Sequence, residues 1–211
     1  MRDEPLPFRT VAGSGRAELE IKRSRFLAVA APTADEQAVR AVLGDERARH
    51  PDAGHHAFAY RLGHDGEIGR FSDDGEPGGT AGRPIMEVLL RESVVDAVVV
   101  VSRYFGGVLL GAGGLARAYG KAATEAIHVA GFRRMLPHIL MRAVVAYSLA
   151  GALEQALARA GLTIHDIQYT DSVSLAVPVP AADEADFLRL IADITAGTGQ
   201  VEAGPLVYLP E

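Results

Sequence analysis

The sequence predicts an α+β protein built from two domains. Three observations carry this. Period-two hydrophobic stretches and helical stretches alternate along the chain. The pattern resets near Phe132–Pro137. At 211 residues and 48% hydrophobic content, the chain can fill one large core or two small ones. The expected domains are residues 1–133 and 134–211.

The elements follow in order. Arg16 to Ala31 alternates as a strand, with Leu19, Ile21, Phe26 and Ala28 set to one side. Pro32 and Thr33 punctuate it. Thr33 is placed as the N-cap of a helix with Glu36 at the third position, and Ala38, Val39, Val42 and Leu43 supply its apolar face. His50-Pro51-Asp52 ends that helix. His56 to Leu62 reads as a strand, and Asp65-Gly66 turns it into Ile68–Phe71 as a hairpin. Pro84 to Arg91 is a short helix. Asp96 to Ser102 is a strand buried on both faces, because its β-branched run shows no alternation. Leu115 to Ala130 is an alanine-rich helix closed by Gly131.

Beyond the break, Ile139–Ser148 is a strand and Leu149–Ala160 a helix stopped by Gly161. Thr163–Tyr169 and Ser172–Val179 are strands, Ala181–Ile194 is a helix, and Gln200–Leu209 is a last strand. Strand, helix, strand, strand, helix, strand is the ferredoxin-like order.

Two glycine-rich loops hold the polar residues best suited to a site. The first, Ser72 to Gly82, carries Asp73, Asp74 and Glu76, with Pro77, Gly78, Gly79 and Gly82 fixing its shape. Three carboxylates within four positions can hold Mg²⁺ through oxygen ligands and water, or act as a base. The competing reading is a solvated turn whose acids cap the following helix. The second loop runs from Arg103, Tyr104, Phe105, Gly106 and Gly107 to Gly111–Leu115. Arg103 and Arg117 flank glycine-exposed backbone there. With Lys121 one turn beyond Arg117, an anion would meet cations and N–H groups together. Tyr104 and Phe105 can stack a base, or else pack in the core. The loop is neither a P-loop nor a Rossmann turn, since it lacks the Gly-Lys-Ser/Thr ending and the G-x-G-x-x-G spacing. Both loops are expected to face one cleft.

The segments SRF (24–26), HPDAGHHAFAYRLG (50–63), FSDDGEPGGTAGRPI (71–85) and VSRYFGGVLLGAGGLARAYG (101–120) together resemble the IMPACT family, bacterial YigZ type. The resemblance implies an N-terminal domain like domain two of ribosomal protein S-five, related in shape to domain IV of elongation factor G. It implies a C-terminal ferredoxin-like domain similar to domain V of that factor. The family has no settled biochemical activity. Its eukaryotic members are tied to translational control through an extra partner-binding domain without counterpart here. The family's histidine maps onto His55, and period-two alternation sends His56 to the other face. Where the family commonly has cysteine this chain has Ala57, so a thiol role is excluded at that point.

Composition narrows the classes. The chain has no cysteine, which removes disulfides, thiolate catalysis and cysteine-ligated zinc. The N-terminal stretch MRDEPLPFRTVAG has no apolar signal region, and no run is long enough to cross a membrane. A cytoplasmic protein is expected. Residues 1–133 hold 17 Lys and Arg against 18 Asp and Glu, and residues 134–211 hold 4 against 9. The acidic second part should repel phosphate backbones, so nucleic-acid contact would fall to the first.

The leading expectation is a translation-associated protein binding RNA or a ribosome-associated partner. Its groove would be built by His55, Asp73, Asp74, Glu76, Arg103, Tyr104, Gly106, Gly107, Arg117 and Lys121. The first alternative is an enzyme or binder for a phosphorylated small molecule, with acids holding Mg²⁺ and arginines holding phosphate. The second is a protein-interaction module without chemistry. No nucleophile elbow or H-E-x-x-H spacing occurs. No reaction, resident metal or cofactor is therefore assigned.

Overall fold

A computed structural model describes residues 5–211. Residues 1–4, part of the stretch read as lacking a signal region, lie outside the described residues. Helices and strands mix in each of two compact units, Phe8–Arg134 and Met135–Glu211 with residues 5–7. The division falls inside one continuous strand, Phe132–Val145 (β7), where the sequence suggested a break between elements.

The N-terminal unit opens with a short strand, Phe8–Val11 (β1), that the sequence reading did not foresee. Gly15–Ile21 (β2) and Ser24–Pro32 (β3) follow as an antiparallel hairpin. This corrects the single strand expected over Arg16–Ala31. The turn is Lys22-Arg23, both in the left-handed region at φ 48 and 65. Such turns normally announce themselves with Asn-Gly or Asp-Gly, and Lys-Arg gives no such signal. The hairpin also explains the facing: Leu19 pairs with Phe26 and Ala17 with Ala28. Odd and even positions share a face only because the chain reverses.

Glu36–Arg49 (α1) is capped by Asp35, whose Oδ1 accepts from Ala38 N at 2.8 Å. The expected cap, Thr33, is instead buried, and its N–H continues the sheet pairing to Asp96 O. His55–Leu62 (β4) and Ile68–Ser72 (β5) form the expected hairpin. Gly82–Arg91 (α2), Ala97–Tyr104 (β6) and Ala112–Ala130 (α3) complete the unit. Gly131 closes α3 at φ 70.

The sheet order is β2-β3-β6-β4-β5 with every neighbour antiparallel. Central β6 explains its own valine run. Val99 and Val101 pack with Phe26, Ile85, Leu89, Tyr119 and Ala122 of the α2–α3 side. Val98 and Val100 pack with Val39, Leu43 and Tyr60 of the α1 side. An antiparallel strand with both faces covered has no polar phase to alternate with. The alanines of α3 let helix and sheet approach closely. At Gly15 an added Cβ would stand 2.1 Å from Ala130 N.

In the second unit, β7 is followed by Tyr147–Arg159 (α4), Asp166–Tyr169 (β8), Val173–Pro180 (β9), a 3₁₀ turn, Glu184–Thr195 (α5) and Gln200–Pro210 (β10). β10 pairs with β7, β7 with β9, and β9 with β8, all antiparallel. Leu153, Leu157, Phe187 and Ile191 of the helices bury against Met141, Leu175 and Val177 of the sheet.

Close packing and open space can be told apart with two glycines. Gly15→Ala is expected to destabilise the protein by ~1–3 kcal/mol, because its Cβ overlaps helix backbone that cannot yield. Gly44→Ala, inside α1 with nothing within 4 Å of the new methyl, should stabilise by ~0.5–1 kcal/mol. Urea midpoints of the two variants should move in opposite directions.

Candidate functional site

The acidic loop after β5 turns sharply at Asp74 and Gly75, at φ 46 and 85. Glu76 N closes it on Asp73 O at 3.0 Å. The turn sends its three carboxylates in three directions. Asp73 faces the start of α2, accepting from Gly79 N at 2.8 Å, Ala81 N at 3.0 Å and Gly82 N at 2.9 Å. Burial pushes its carboxyl up, but these three bonds more than offset that and hold it below the usual value. Asp74 accepts from His56 N at 2.6 Å and lies 3.4 Å from Arg47. Glu76 turns inward, its side chain 2% exposed.

Glu76 Oε1 is the centre of the cluster. Arg103 Nη1 donates to it at 2.7 Å and Tyr119 OH at 2.6 Å. The register of the sheet sets this up, since Phe26 of β3 and His55 of β4 both pair directly with Arg103 of β6. The Arg103 guanidinium lies 5.6 Å from the Phe26 ring centre and 5.5 Å from that of Phe105. Its Nη2 reaches Ser24 Oγ at 3.5 Å, while its buried Nε has no hydrogen-bond partner among the described residues. Burial first, then the bond to Glu76, raises the Tyr119 phenol far above its ordinary range. It therefore remains a donor.

His55 Nδ1 lies 2.8 Å from the Asp74 carbonyl. A carbonyl only accepts, so Nδ1 carries the hydrogen. In the neutral ring Nε2 is then an acceptor, and it faces Glu76 Oε2 at 3.9 Å. With the ring neutral, two acceptors at this distance suit one donor with two hydrogens seated beside them, such as an amine. His56 points the other way, as alternation requires, and its Nδ1 meets Ser102 Oγ at 2.8 Å. Burial lowers His56 below the ordinary imidazole value.

Of the sequence-derived set, then, the structure brings together His55, Asp74, Glu76 and Arg103. Asp73 serves the α2 N-terminus from the same loop. Tyr104 OH lies 3.4 Å from His50 Nδ1, and Arg25 sits 5.7 Å from the Tyr104 ring centre. Gly106 N donates to Ser24 Oγ at 3.2 Å. Gly107 is exposed at φ 80. Arg117 and Lys121 are exposed on α3. Arg117 lies over Gly113, and Lys121 pairs with Glu125 at 3.7 Å. Among the described residues, no group of three or more histidines and carboxylates is disposed to hold a metal ion. The sequence reading missed Tyr119 and Phe26. The available signal was a tyrosine on the apolar face of α3, since a buried phenol needs a hydrogen-bond partner.

Two measurements test this geometry. Arg103→Ala is expected to cost ~3–5 kcal/mol, because it leaves the Glu76 carboxylate buried without its counter-charge. Glu76→Gln combined with Arg103→Met removes both charges and should recover most of that loss in urea denaturation. The second concerns pH. His56 has a folded value below its unfolded one, so the unfolded chain takes up the proton first. Its stabilising contribution is complete above the unfolded value and is lost as pH falls through the folded one. The urea midpoint should fall between about pH 7.5 and about pH 5.5, and less so in His56→Asn.

Comparison with known proteins gives consistent matches. The Impact N-terminal domain family model matches residues 22–127, and a domain of unknown function (DUF1949) matches residues 144–198. The chain is 35% identical over 201 residues to the IMPACT family member YvyE of Bacillus subtilis, covering 95% of this chain and 92% of that protein. It is 38% identical over 186 residues to the IMPACT family member YigZ of Escherichia coli, covering 87% and 91%. A Thermus thermophilus IMPACT family member is 40% identical over 183 residues, covering 86% and 99%. A crystal structure described as that of a hypothetical protein aligns with TM-score 0.67 at 35% identity, over 94% of this chain and 98% of the other. With both units matched and relatives aligned over most of their length, the chain belongs to the IMPACT family.

Proposed function

We propose that the protein modulates translation in the cytosol by binding RNA or a ribosome-associated partner through its N-terminal unit. Membership in the IMPACT family suggests the translation-related role. The observation that carries the binding reading is the distribution of charge. Lys22, Arg23 and Arg117 are exposed on the N-terminal unit and, among the described residues, have no carboxylate within 4.0 Å. Residues 134–211 carry 9 acids against 4 cations. No described helix is long and apolar enough to cross a membrane.

The finer fold assignment belongs to the same proposal. Strand order β10-β7-β9-β8 with α4 and α5 on one face supports a ferredoxin-like domain over residues 134–211. The sheet of β2 to β6 supports an S-five domain-two-like domain over residues 1–133. In the proposed site, Tyr104, Gly106, Gly107, Arg117 and Lys121 supply the outer surface. His55, Asp73, Asp74, Glu76 and Arg103 set its shape from behind.

A second reading rests on the His55–Glu76 gap. With the ring neutral, two acceptors 3.9 Å apart, one on a half-exposed ring, fit a small ligand whose amine donates to both. A phosphorylated ligand is less well served at this point, because Arg103 is already engaged by Glu76.

The full chain should be titrated with single-stranded and structured RNA across a salt series. Binding through phosphate contacts makes log affinity fall linearly with log salt. Absence of binding at every salt concentration would remove the RNA reading. A thermal-shift screen of amine-bearing metabolites addresses the second reading, and any hit should be lost in His55→Ala.

A further inference from the structure

We propose that the β2–β3 turn and the loop after β6 form one contact surface for single-stranded RNA, with Lys22 and Arg23 on phosphates and Phe105 on a base. This rests on the RNA reading above and names its surface and partner class.

Consecutive left-handed residues at Lys22 and Arg23 cost on the order of 1 kcal/mol each, and a glycine would avoid most of it. Packing gives no return, since both side chains are exposed. Nor does ion pairing. The nearby acids of the hairpin, Glu18 and Glu20, face Arg25, with Glu18 Oε1 2.8 Å from Arg25 Nε and Glu20 opposite Arg25 in register. Among the described residues, neither Lys22 nor Arg23 has an ion-pair partner.

The turn is fastened to the loop after β6. A Cβ on Gly106 would stand 2.1 Å from Arg23 C and 2.4 Å from Ser24 N, so only glycine admits this approach. Gly106 N also donates to Ser24 Oγ, and Ser24 is fully buried. The residue before Gly106 is Phe105, 58% exposed, with the Arg103 guanidinium 5.5 Å from its ring centre. The ring is held from behind, and its exposed side is free to stack. The backbone that carries two cations is thus packed against the backbone that carries one exposed ring.

This chemistry selects among nucleic acids. Phosphates alone would satisfy the cations in duplex or single strand. An exposed aromatic ring adds only where a base can splay out, as in single strands and loops. A surface built for an acidic protein would use the cations and would not distinguish single strand from duplex.

The test uses the full chain, a fluorescein-labelled single-stranded oligouridylate and an RNA duplex of equal length, read by anisotropy. Lys22→Asn with Arg23→Gly installs a favourable turn, so the fold should be retained or stabilised while both cations are lost. Affinity for the single strand should drop, and the slope of log affinity against log salt should flatten by roughly 0.7 per cation. Phe105→Ala should weaken single-strand binding roughly tenfold or more, and duplex binding much less. If the unaltered chain binds RNA and these variants bind equally well, the surface is wrong and the RNA reading stands. If Phe105→Ala weakens single strand and duplex alike, base stacking is refuted. If the unaltered chain binds neither RNA, the RNA reading fails and this surface with it.

Discussion

One carboxylate oxygen ties the N-terminal unit together. Glu76 Oε1 accepts from Arg103 on the central strand and from Tyr119 on α3. It thereby joins a glycine-rich loop, a sheet and a helix that are distant in sequence. A buried carboxylate is tolerable only when its partners are in place, because removing an ion from water costs several kcal/mol. The loop geometry follows from that demand. Asp74 and Gly75 take positive φ so that Glu76 can turn inward, and Gly82 packs where a Cβ would stand 2.6 Å from Ser72 O.

The same demand explains why three neighbouring acids are not one acidic site. Asp73 is taken up by backbone N–H groups at the start of α2, and Asp74 by the first residues of β4 and by Arg47. Each carboxylate supports a different element of the fold. What remains for a ligand is the second oxygen of Glu76 and the half-exposed His55 facing it.

Charge is therefore sorted by depth. The arginine nearest the acids is buried and neutralised, and Lys22, Arg23 and Arg117, without ion-pair partners among the described residues, sit at the edge. Such an arrangement gives a rigid interior and an electrostatically active rim. The RNA contact proposed above draws on that rim. Membership in the IMPACT family suggests a translation-related role.

The sequence by itself determined the mixed α and β composition, the helices, the doubly buried β6, the β4–β5 hairpin and the opposite facing of His55 and His56. These rest on local periodicity, which the chain states residue by residue. Its motifs over residues 71–85 and 101–120 also carried the resemblance to the IMPACT family, to which the chain belongs. The reversal at Lys22-Arg23 was not legible, because a strained turn of two charged residues carries no turn signature. Nor was the cap at Asp35 in place of Thr33, which depended on how far β3 stays paired with β6. Only the tertiary structure decided that Glu76 meets Arg103 and Tyr119 while Asp73 and Asp74 turn elsewhere. Those partners lie 27 and 43 residues away. The sheet register and the inward turn of one loop bring them together, and neither is written in local spacing.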